Sequence, residues 1–390
     1  MDRFKERQQA IQYTFKCQYE GQVPLSSPAW QDLKTRIHTS FEILDALIAK
    51  SKRSRKDLQF DVPSPNEYRQ VLHDQLKTII LEHGFPVRQN YRNTLLSWLQ
   101  TKAFFDPEEE LPITEEEESL ELDQELDQSF VFKTYYLTSE TKVTCLEEVK
   151  KMNNEEATTG LVTWQAAPAL LSYISGQDFQ FKKILELGSG AGLLGLGVLQ
   201  LLPNIQSYTF TDISPQVLNI LNANVNINDA VKKRGHFSTT DLTEWLVGGP
   251  PKIFIPENVT QINQSIQRND PRQDIFIKHL DWSSVSDEVL RSLDYDVIIG
   301  SDLTYTLSML LPLAQLLKRL LDLKNDASVE AYIACTQRGI SESISAFLQC
   351  LSQVGLKYCV AHQSIDTASC ISTSSHEPMH KVFIYKIQNK

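Results

Sequence analysis

The fold is decided by one stretch of the sequence, Ile184-Leu185-Glu186-Leu187-Gly188-Ser189-Gly190-Ala191-Gly192. A short apolar strand pattern ends here in a turn that has glycine at every second position, and a helical pattern follows. Glycine lets the backbone turn sharply and approach a bound molecule without a Cβ in the way, and a helix that starts at such a turn offers backbone N–H groups to the ligand. The stretch therefore predicts a strand, a ligand-binding turn and a helix.

The segments around this stretch alternate between strand and helix patterns. We expect strands at 183–187, 207–211, 275–280, 295–300, 329–334, 356–361 and 381–387, and helices at 191–202, 214–228, 307–323 and 341–354. Strands joined by helices form a parallel sheet with helices on both faces, and the last two strands, which no helix separates, indicate an antiparallel edge. The predicted fold is α/β: a doubly wound, mostly parallel sheet of seven strands that binds its ligand at the carboxyl ends of the strands.

The first part of the chain has a different pattern, in which apolar residues recur at steps of three and four. Residues 30–48, 68–80 and 91–99 are expected to form amphipathic helices. From 106 to 127 the chain has twelve acidic residues and no basic one, a composition that buries too little apolar surface to fold alone. We therefore predict a helical module at 1–104, an acidic linker at 105–128 and an α/β domain at 129–390.

The composition and the charge distribution exclude several classes of protein. The 390 residues include 38 Lys and Arg and 49 Asp and Glu, which gives a formal charge of −11. Without the acidic stretch, 37 acidic residues remain against 38 basic ones, so bulk charge gives no support for nucleic-acid binding. The N-terminus is charged from its second residue, and glycines interrupt the uncharged run at 187–211, so we expect a cytoplasmic protein without a membrane partner. The six cysteines include no C-x-x-C pair, and no metal site is expected.

Acidic and aromatic residues stand where other strands of the predicted sheet end. Asp212 ends the second strand, where a carboxylate reaches the hydroxyls of a ribose, although it also fits the N-terminal cap of the next helix. Asp281 and Trp282 follow the third strand, where an acid would accept from the amine of an adenine ring and the indole would pack on its face. Asp302 and Tyr305 follow the fourth strand, where they would flank an incoming nucleophile.

Two classes of ligand fit the glycine turn. Gly190, Gly192 and Gly195 match the G-x-G-x-x-G pattern of dinucleotide sites, which keeps an NAD-dependent dehydrogenase open as an interpretation. Glu186 favours the other class, because a nucleoside-sulfonium ligand with an amino group and a positive sulfur favours an acid at that strand end, which a dinucleotide site usually keeps apolar. Trp164 precedes the helix ahead of the first strand, where it would cover the ligand.

The glycine turn with its acid, Asp212 and the Asp302-x-x-Tyr305 sequence together resemble the seven-strand S-adenosylmethionine-dependent methyltransferases, specifically those that methylate lysines of proteins. The stretches 158–167, 185–193, 280–282 and 330–338 are similar to the lysine methyltransferases of eukaryotic elongation factor 2. The chain departs from that family in an insertion at about 231–272 and in Ser301, where a small apolar residue is more usual.

The resemblance implies a Rossmann-like methyltransferase domain at 129–390, S-adenosyl-L-methionine as cofactor, elongation factor 2 as the protein substrate, and substrate recognition by the helical module. It implies no direct contact with nucleic acid. It assigns cofactor contacts to Trp164, Glu186, Gly188, Ser189, Gly190, Asp212, Trp282 and Ser301, and contacts with the reacting lysine to Asp302 and Tyr305.

Methyl transfer to a lysine requires a neutral amine, and the free side chain has a pKa of about 10.4. We expect Asp302 to dock and aim the lysine, Tyr305 to wall its channel and favour the developing ammonium through the ring face, and water to take the proton. Two alternatives stay open: a methyltransferase of the same fold that acts on another protein, a small molecule or a nucleic-acid base, and a non-catalytic binding module. The sequence Asp302-Leu-Thr-Tyr305 lacks the two prolines of the adenine-N6 enzymes, which counts against a nucleic-acid base as acceptor. The intact set of site residues favours activity over a non-catalytic binding module.

Overall fold

The computed structural model divides the chain into two compact units, residues 1–124 with 132–135 and residues 125–131 with 136–390. The residues that it describes are 9–12, 15, 33, 36–37, 65–81, 95, 97, 99, 130–138, 140–148, 159–180, 182–234, 241, 244–246, 264–267, 273–324, 329–338, 342–364 and 380–390. The predicted acidic linker at 105–128 lies outside the described residues.

The first unit contains one helix that is described along its whole length, α1 (Pro65–Leu81). Proline suits the start of a helix, because the N–H group that it lacks would have no partner within the helix there. Leu72 and Leu76, one turn apart, are buried. This confirms the helix expected at 68–80. Within the predicted helices at 30–48 and 91–99, the positions that the structure describes are helical.

The second unit is built on an eight-stranded sheet. Its strands are β3 (Lys183–Leu187), β4 (Ser207–Asp212), β5 (Gln264–Gln267), β6 (Asp274–His279), β7 (Val297–Ser301), β8 (Glu330–Thr336), β9 (Leu356–Ser364) and β10 (Val382–Asn389). Their spatial order is β5-β6-β4-β3-β7-β8-β10-β9. The five central strands in this order, β6, β4, β3, β7 and β8, pair in parallel, whereas β5, β9 and β10 pair antiparallel with their neighbours. Two further strands, β1 (Phe130–Tyr136) and β2 (Lys142–Glu148), lie outside this sheet.

The predicted doubly wound α/β fold is confirmed, and each of the seven expected strands is present with its ends moved by no more than three residues. The antiparallel edge formed by the last two strands is also confirmed. The eighth strand, β5, was not predicted. It lies in the insertion at 231–272, where Gln264-Ser-Ile-Gln has a single apolar residue and therefore no alternation to detect.

Helices cover both faces of the sheet. They are α2 (Ala166–Ser175), α3 (Leu193–Leu201), α4 (Pro215–Arg234), α5 (Asp287–Arg291), α6 (Leu310–Leu323) and α7 (Glu342–Gln353). Side chains of a strand alternate between the faces. Leu185 and Leu187 of β3 belong to the core formed with α6 and α7. On the other face α3 lies so close that a Cβ added to Gly195 would be 2.2 Å from the ring of Phe210 and 2.6 Å from that of Tyr208.

Two asparagines of α4 bind the backbone of β2, an arrangement that we call the asparagine ladder. Asn224 accepts from the Leu146 N–H at 2.7 Å and donates to the Leu146 carbonyl at 3.1 Å. Asn228, one turn later, makes the same pair of bonds to Thr144, at 2.9 and 2.7 Å. Asn224 also donates to the Ala191 carbonyl at 2.8 Å. The ladder therefore connects β2 and α4 to the glycine turn.

Candidate active site

A cavity of about 340 Å³ opens at the carboxyl ends of β3, β4 and β7. Ligands of open α/β sheets bind at this edge, and the volume is that of a small-molecule site. Nine of the ten residues that the sequence assigned to the site line it: Trp164, Gly188, Ser189, Gly190, Asp212, Trp282, Ser301, Asp302 and Tyr305. Residues to which the sequence assigned no individual role also line it, among them Gly160, Thr163, Met309 and Arg338.

The glycine turn forms the floor of this cavity, and its backbone requires glycine. Gly188, Gly190 and Gly192 have φ values of 62°, 54° and 95°, in the left-handed region that other residues rarely adopt. A Cβ on Gly190 would also lie 3.0 Å from the Gly160 carbonyl oxygen, so the two loops approach each other closely. Ser189 fixes the turn to β4 through the Thr211 N–H, which donates to its Oγ at 3.0 Å.

Asp212 presents a carboxylate at the end of β4. Its Oδ2 accepts from the Gly190 N–H at 3.2 Å and its Oδ1 from the Ser214 N–H at 3.0 Å. Burial raises the pKa of the carboxyl group, and these backbone hydrogen bonds act in the opposite direction. The capping role that Asp212 also fitted falls to Ser214, whose Oγ accepts from the Val217 N–H in the first turn of α4. Ile213 adds a third backbone hydrogen bond, and the carboxylate keeps acceptor capacity for a hydroxyl of a bound ligand.

Glu186 is the predicted site residue that the structure does not bring to the cavity wall. It lies on the face of β3 that α3 covers, with the Tyr208 hydroxyl donating to its Oε2 at 2.9 Å. Burial raises the pKa of this carboxyl to about 8, although the hydrogen bonds from Tyr208 and Ser189 lower it. The geometry therefore does not support a direct contact between Glu186 and a ligand. The sequence shows an acid at the strand end but not which face its side chain takes.

Two tryptophans border the cavity from different loops. Trp164 donates its indole N–H to the Thr159 carbonyl at 2.8 Å, which fixes the ring beside the turn. Trp282 approaches the glycine turn, since a Cβ on Gly188 would lie 3.5 Å from its ring. Asp281, expected to accept from an adenine amine, is not among the lining residues. Its carboxylate accepts from the Ser283 N–H at 2.9 Å and the Ser284 hydroxyl at 2.7 Å.

Asp302 is held by both its backbone conformation and its side-chain contacts. Its φ is 54°, in the left-handed region, and its side chain is 5% exposed. Oδ1 accepts from the Thr336 N–H at 2.9 Å, while Oδ2 accepts from the Thr336 hydroxyl at 2.8 Å and the Ala166 N–H at 3.2 Å. The third partner of Oδ2 is Arg338, at 3.2 Å. The carboxylate thus joins the ends of β7 and β8 to the first residue of α2.

Arg338 lines the cavity, and the sequence assigned no role to it. Its guanidinium group lies 4.9 Å from the centre of the Trp164 ring as well as beside Asp302. The available signal was its place two residues after the end of β8, at the ligand-binding edge of the sheet. Tyr305, by contrast, is 58% exposed at the cavity, which leaves its ring accessible to a second molecule.

Comparison with known proteins adds to this geometry. The model of a family described as lysine methyltransferase matches residues 146–249 and 253–354. The chain is 30% identical over 226 residues to the protein-lysine N-methyltransferase EEF2KMT of Mus musculus, covering 57% of each chain. It is 28% identical over 229 residues to the human protein of that name, covering 58% of this chain and 59% of the relative. The chain thus matches less than two thirds of the length of these relatives.

More distant likenesses occur among solved structures. A precorrin-6y C5,15-methyltransferase from Geobacter metallireducens is 13% identical with a TM-score of 0.32, and the match covers 61% of this chain and 92% of that one. Trm5b from Pyrococcus abyssi is 10% identical with a TM-score of 0.31, covering 67% and 64%. Among the described residues, no helix is long and apolar enough to cross a membrane.

Proposed function

Because the chain belongs to the lysine methyltransferase family, we propose that it transfers methyl groups from S-adenosyl-L-methionine to a lysine of a protein substrate. The observation that carries this proposal is the cavity at the carboxyl ends of β3, β4 and β7, where Asp212 and the glycine turn share one space with Asp302 and Tyr305. A ligand held by the first two would face an acceptor that enters past the last two.

The residues on the β3 and β4 side fit the cofactor. The Asp212 carboxylate keeps accepting capacity beside its backbone donors and suits the hydroxyls of a ribose. The indole of Trp282 suits the adenine face. The left-handed glycines leave the turn free of side chains where the ligand would approach. Trp164, Ser189 and Ser301 complete this wall, while Glu186 supports the turn from behind through Ser189.

When bound, the cofactor supplies a methyl group on a positively charged sulfur, and its transfer forms a C–N bond as the C–S bond breaks and the nitrogen releases a proton. Asp302 and Tyr305 serve the acceptor. Oδ2 of Asp302 is saturated by three donors, but Oδ1 has one and retains a site for the amine. Tyr305 walls the channel with its exposed ring, and water takes the proton. Holding the amine against the methyl supplies most of the acceleration.

The substrate that we propose is translation elongation factor 2, in the cytoplasm. Support comes from the stretches of sequence that resemble the methyltransferases of that factor, and from the names of relatives that are 28–30% identical. We assign recognition of this large substrate to the N-terminal helical module, because a small acceptor would not need it.

The test is to incubate the purified full chain with S-adenosylmethionine carrying a labelled methyl group, using purified elongation factor 2 in one reaction and a cytosolic extract in another. The labelled residue is then identified by mass spectrometry. Asp212→Asn is the control, with circular dichroism to verify folding, because it changes the ribose contact and leaves the acceptor side intact.

A labelled lysine in elongation factor 2, greatly reduced in Asp212→Asn, is the expected result. Label on a lysine of another protein would keep the reaction and reject the substrate. If calorimetry detected cofactor binding but neither reaction produced label, the chain would be a binding module and the proposed activity would be wrong.

A further inference from the structure

The ion pair between Arg338 and Asp302 borders the acceptor side of the cavity, and both residues line it. Their closest atoms, Arg338 Nη2 and Asp302 Oδ2, are 3.2 Å apart. The guanidinium group also lies over the Trp164 ring, 4.9 Å from its centre. Contact with a carboxylate on one side and an aromatic face on the other holds the positive charge in a defined position.

A carboxylate without such a partner would work against methyl transfer. An opposite charge within about 4–6 Å favours the charged form of an ionisable group, so a free Asp302 would keep a lysine protonated beside it. Only the neutral amine has the lone pair that attacks carbon. A pair of opposite charges cancels much of this effect, because the ammonium interacts with the carboxylate and the guanidinium group in opposite senses.

We propose that Arg338 is a positioning residue that compensates the charge of Asp302 towards the acceptor, so that the lysine amine enters the site unprotonated while Asp302 still accepts a hydrogen bond from it. This inference rests on the proposed methyltransferase function. It assigns the two residues different tasks, since Asp302 aims the amine and Arg338 sets the electrostatic potential in which the amine sits.

The fold does not depend on Arg338 to place Asp302. The Ala166 N–H, the Thr336 N–H and the Thr336 hydroxyl hold the carboxylate independently. The Arg338 side chain is 32% exposed, against 5% for Asp302. Removal of the guanidinium group therefore leaves the Asp302 carboxylate anchored, with its charge no longer compensated. A variant at Arg338 thus changes the charge beside the amine without moving Asp302.

Other ionisable groups lie on the elements around this pair, and they are common to every variant compared. They are Tyr305 after β7, Cys335 on β8, Glu147 on β2 behind Thr163, His380 and Lys381 ahead of β10, and Asp212 at the far end of the cavity. Burial raises the pKa of the Cys335 thiol to about 12, so it is uncharged over the range of the test. A difference between variants at Arg338 therefore reports the guanidinium charge.

The test compares wild type with Arg338→Gln, which removes the charge, and Arg338→Lys, which keeps it. Arg319→Gln is the matched control, since Arg319 pairs with Asp287 outside the cavity. Methylation rates are measured from pH 6.5 to 10 with the protein that wild type labels. Affinity for the same protein is measured by calorimetry in the presence of S-adenosylhomocysteine, a readout that needs no turnover.

For Arg338→Gln we expect the acid limb of kcat, which reports the amine in the bound complex, to move about one to two pH units towards alkaline values. At pH 7 turnover should fall about tenfold or more while the protein substrate binds several-fold more tightly, because the free carboxylate attracts the ammonium. Both differences should close near pH 10, and Arg338→Lys should restore the wild-type profile.

Equal losses of affinity and rate at every pH, in Arg338→Lys as in Arg338→Gln, would overturn the inference and make Arg338 a structural contact. An unchanged profile in Arg338→Gln would overturn it as well. Failure of the methyltransferase proposal is distinguishable from either outcome, because wild type itself would then label no lysine.

Discussion

Removal of the Asp302 carboxylate should destabilise the second unit of the chain strongly. In Asp302→Ala three donors lose the carboxylate that accepts from them: the Ala166 N–H, the Thr336 N–H and the Thr336 hydroxyl. The Ala166 N–H is in the first turn of α2, where no helical carbonyl is available to replace the acceptor. Alanine is also less tolerant than aspartate of the left-handed backbone, with φ at 54°.

The magnitude follows from these contacts. An unsatisfied buried donor costs about 1–3 kcal/mol, and two backbone donors that cannot turn towards water give roughly 2–6 kcal/mol before backbone strain. For a unit of this size each kcal/mol lowers Tm by about 2–4 °C, so we expect a fall on the order of 10 °C. Asp302→Asn should lose less, because asparagine also accepts the left-handed region and keeps one acceptor oxygen.

Thermal unfolding followed by circular dichroism tests this, with the transition of the second unit identified as the one that S-adenosylhomocysteine raises. The control is Asp294→Ala, which removes ion pairs with Lys183 and Lys324; Asp294 is 66% exposed. Exposed pairs contribute about 0–1 kcal/mol, so Tm should change little. If Asp302→Ala melted within about 1 °C of wild type, the role assigned to these hydrogen bonds would be refuted.

Three further predictions concern the glycine turn and its supports. Gly190→Ala should weaken S-adenosylhomocysteine binding at least tenfold by calorimetry, because φ is 54° and the new Cβ would lie 3.0 Å from the Gly160 oxygen. The control Gly355→Ala is also at positive φ but has nothing within 4 Å of its Cβ, so its affinity should not change. Equal losses in the two variants would refute the steric argument. Asn224→Ala should lower the free energy of unfolding by about 2–4 kcal/mol in urea titrations, because three backbone groups lose their partner, whereas Asn226→Ala, whose bonds stay within α4, should cost under about 1 kcal/mol. Burial raises the pKa of Glu186 to about 8 from its ordinary 4.5, so the stabilising contribution of its protonated carboxyl group is complete below pH 4.5 and is lost as pH rises through 8. The Tm of Glu186→Gln relative to wild type should therefore increase between pH 5.5 and 8.5. A constant Tm difference over this range would contradict the raised pKa.

Much of the fold and the site could be predicted because the signals are local. The apolar strand and alternating glycines at 184–192 locate the turn, and an acid after the second strand locates Asp212. The sequence assigned no role to Arg338 because the role that we propose for it depends on Asp302, which is 36 residues away in sequence and comes close only when β7 and β8 pair. Glu186 does not line the cavity, and the sequence could not show this because the position of a strand end does not reveal which face of the sheet the side chain takes.

The asparagine ladder has a consequence for where this chain can change length. Four residues of a helix advance about 6.0 Å along its axis, and two residues of a strand advance about 6.6 Å. Asparagines four residues apart in α4 can therefore lie opposite alternate residues of β2. The mismatch between the two advances is small for two asparagines and would grow with each further one. One residue inserted between Asn224 and Asn228 would rotate the second amide by about 100° and break its pair of bonds. The spacing between Asn224 and Asn228 is thereby fixed, whereas the insertion at 231–272 begins three residues after Asn228, where added length leaves the bonds of both asparagines in place.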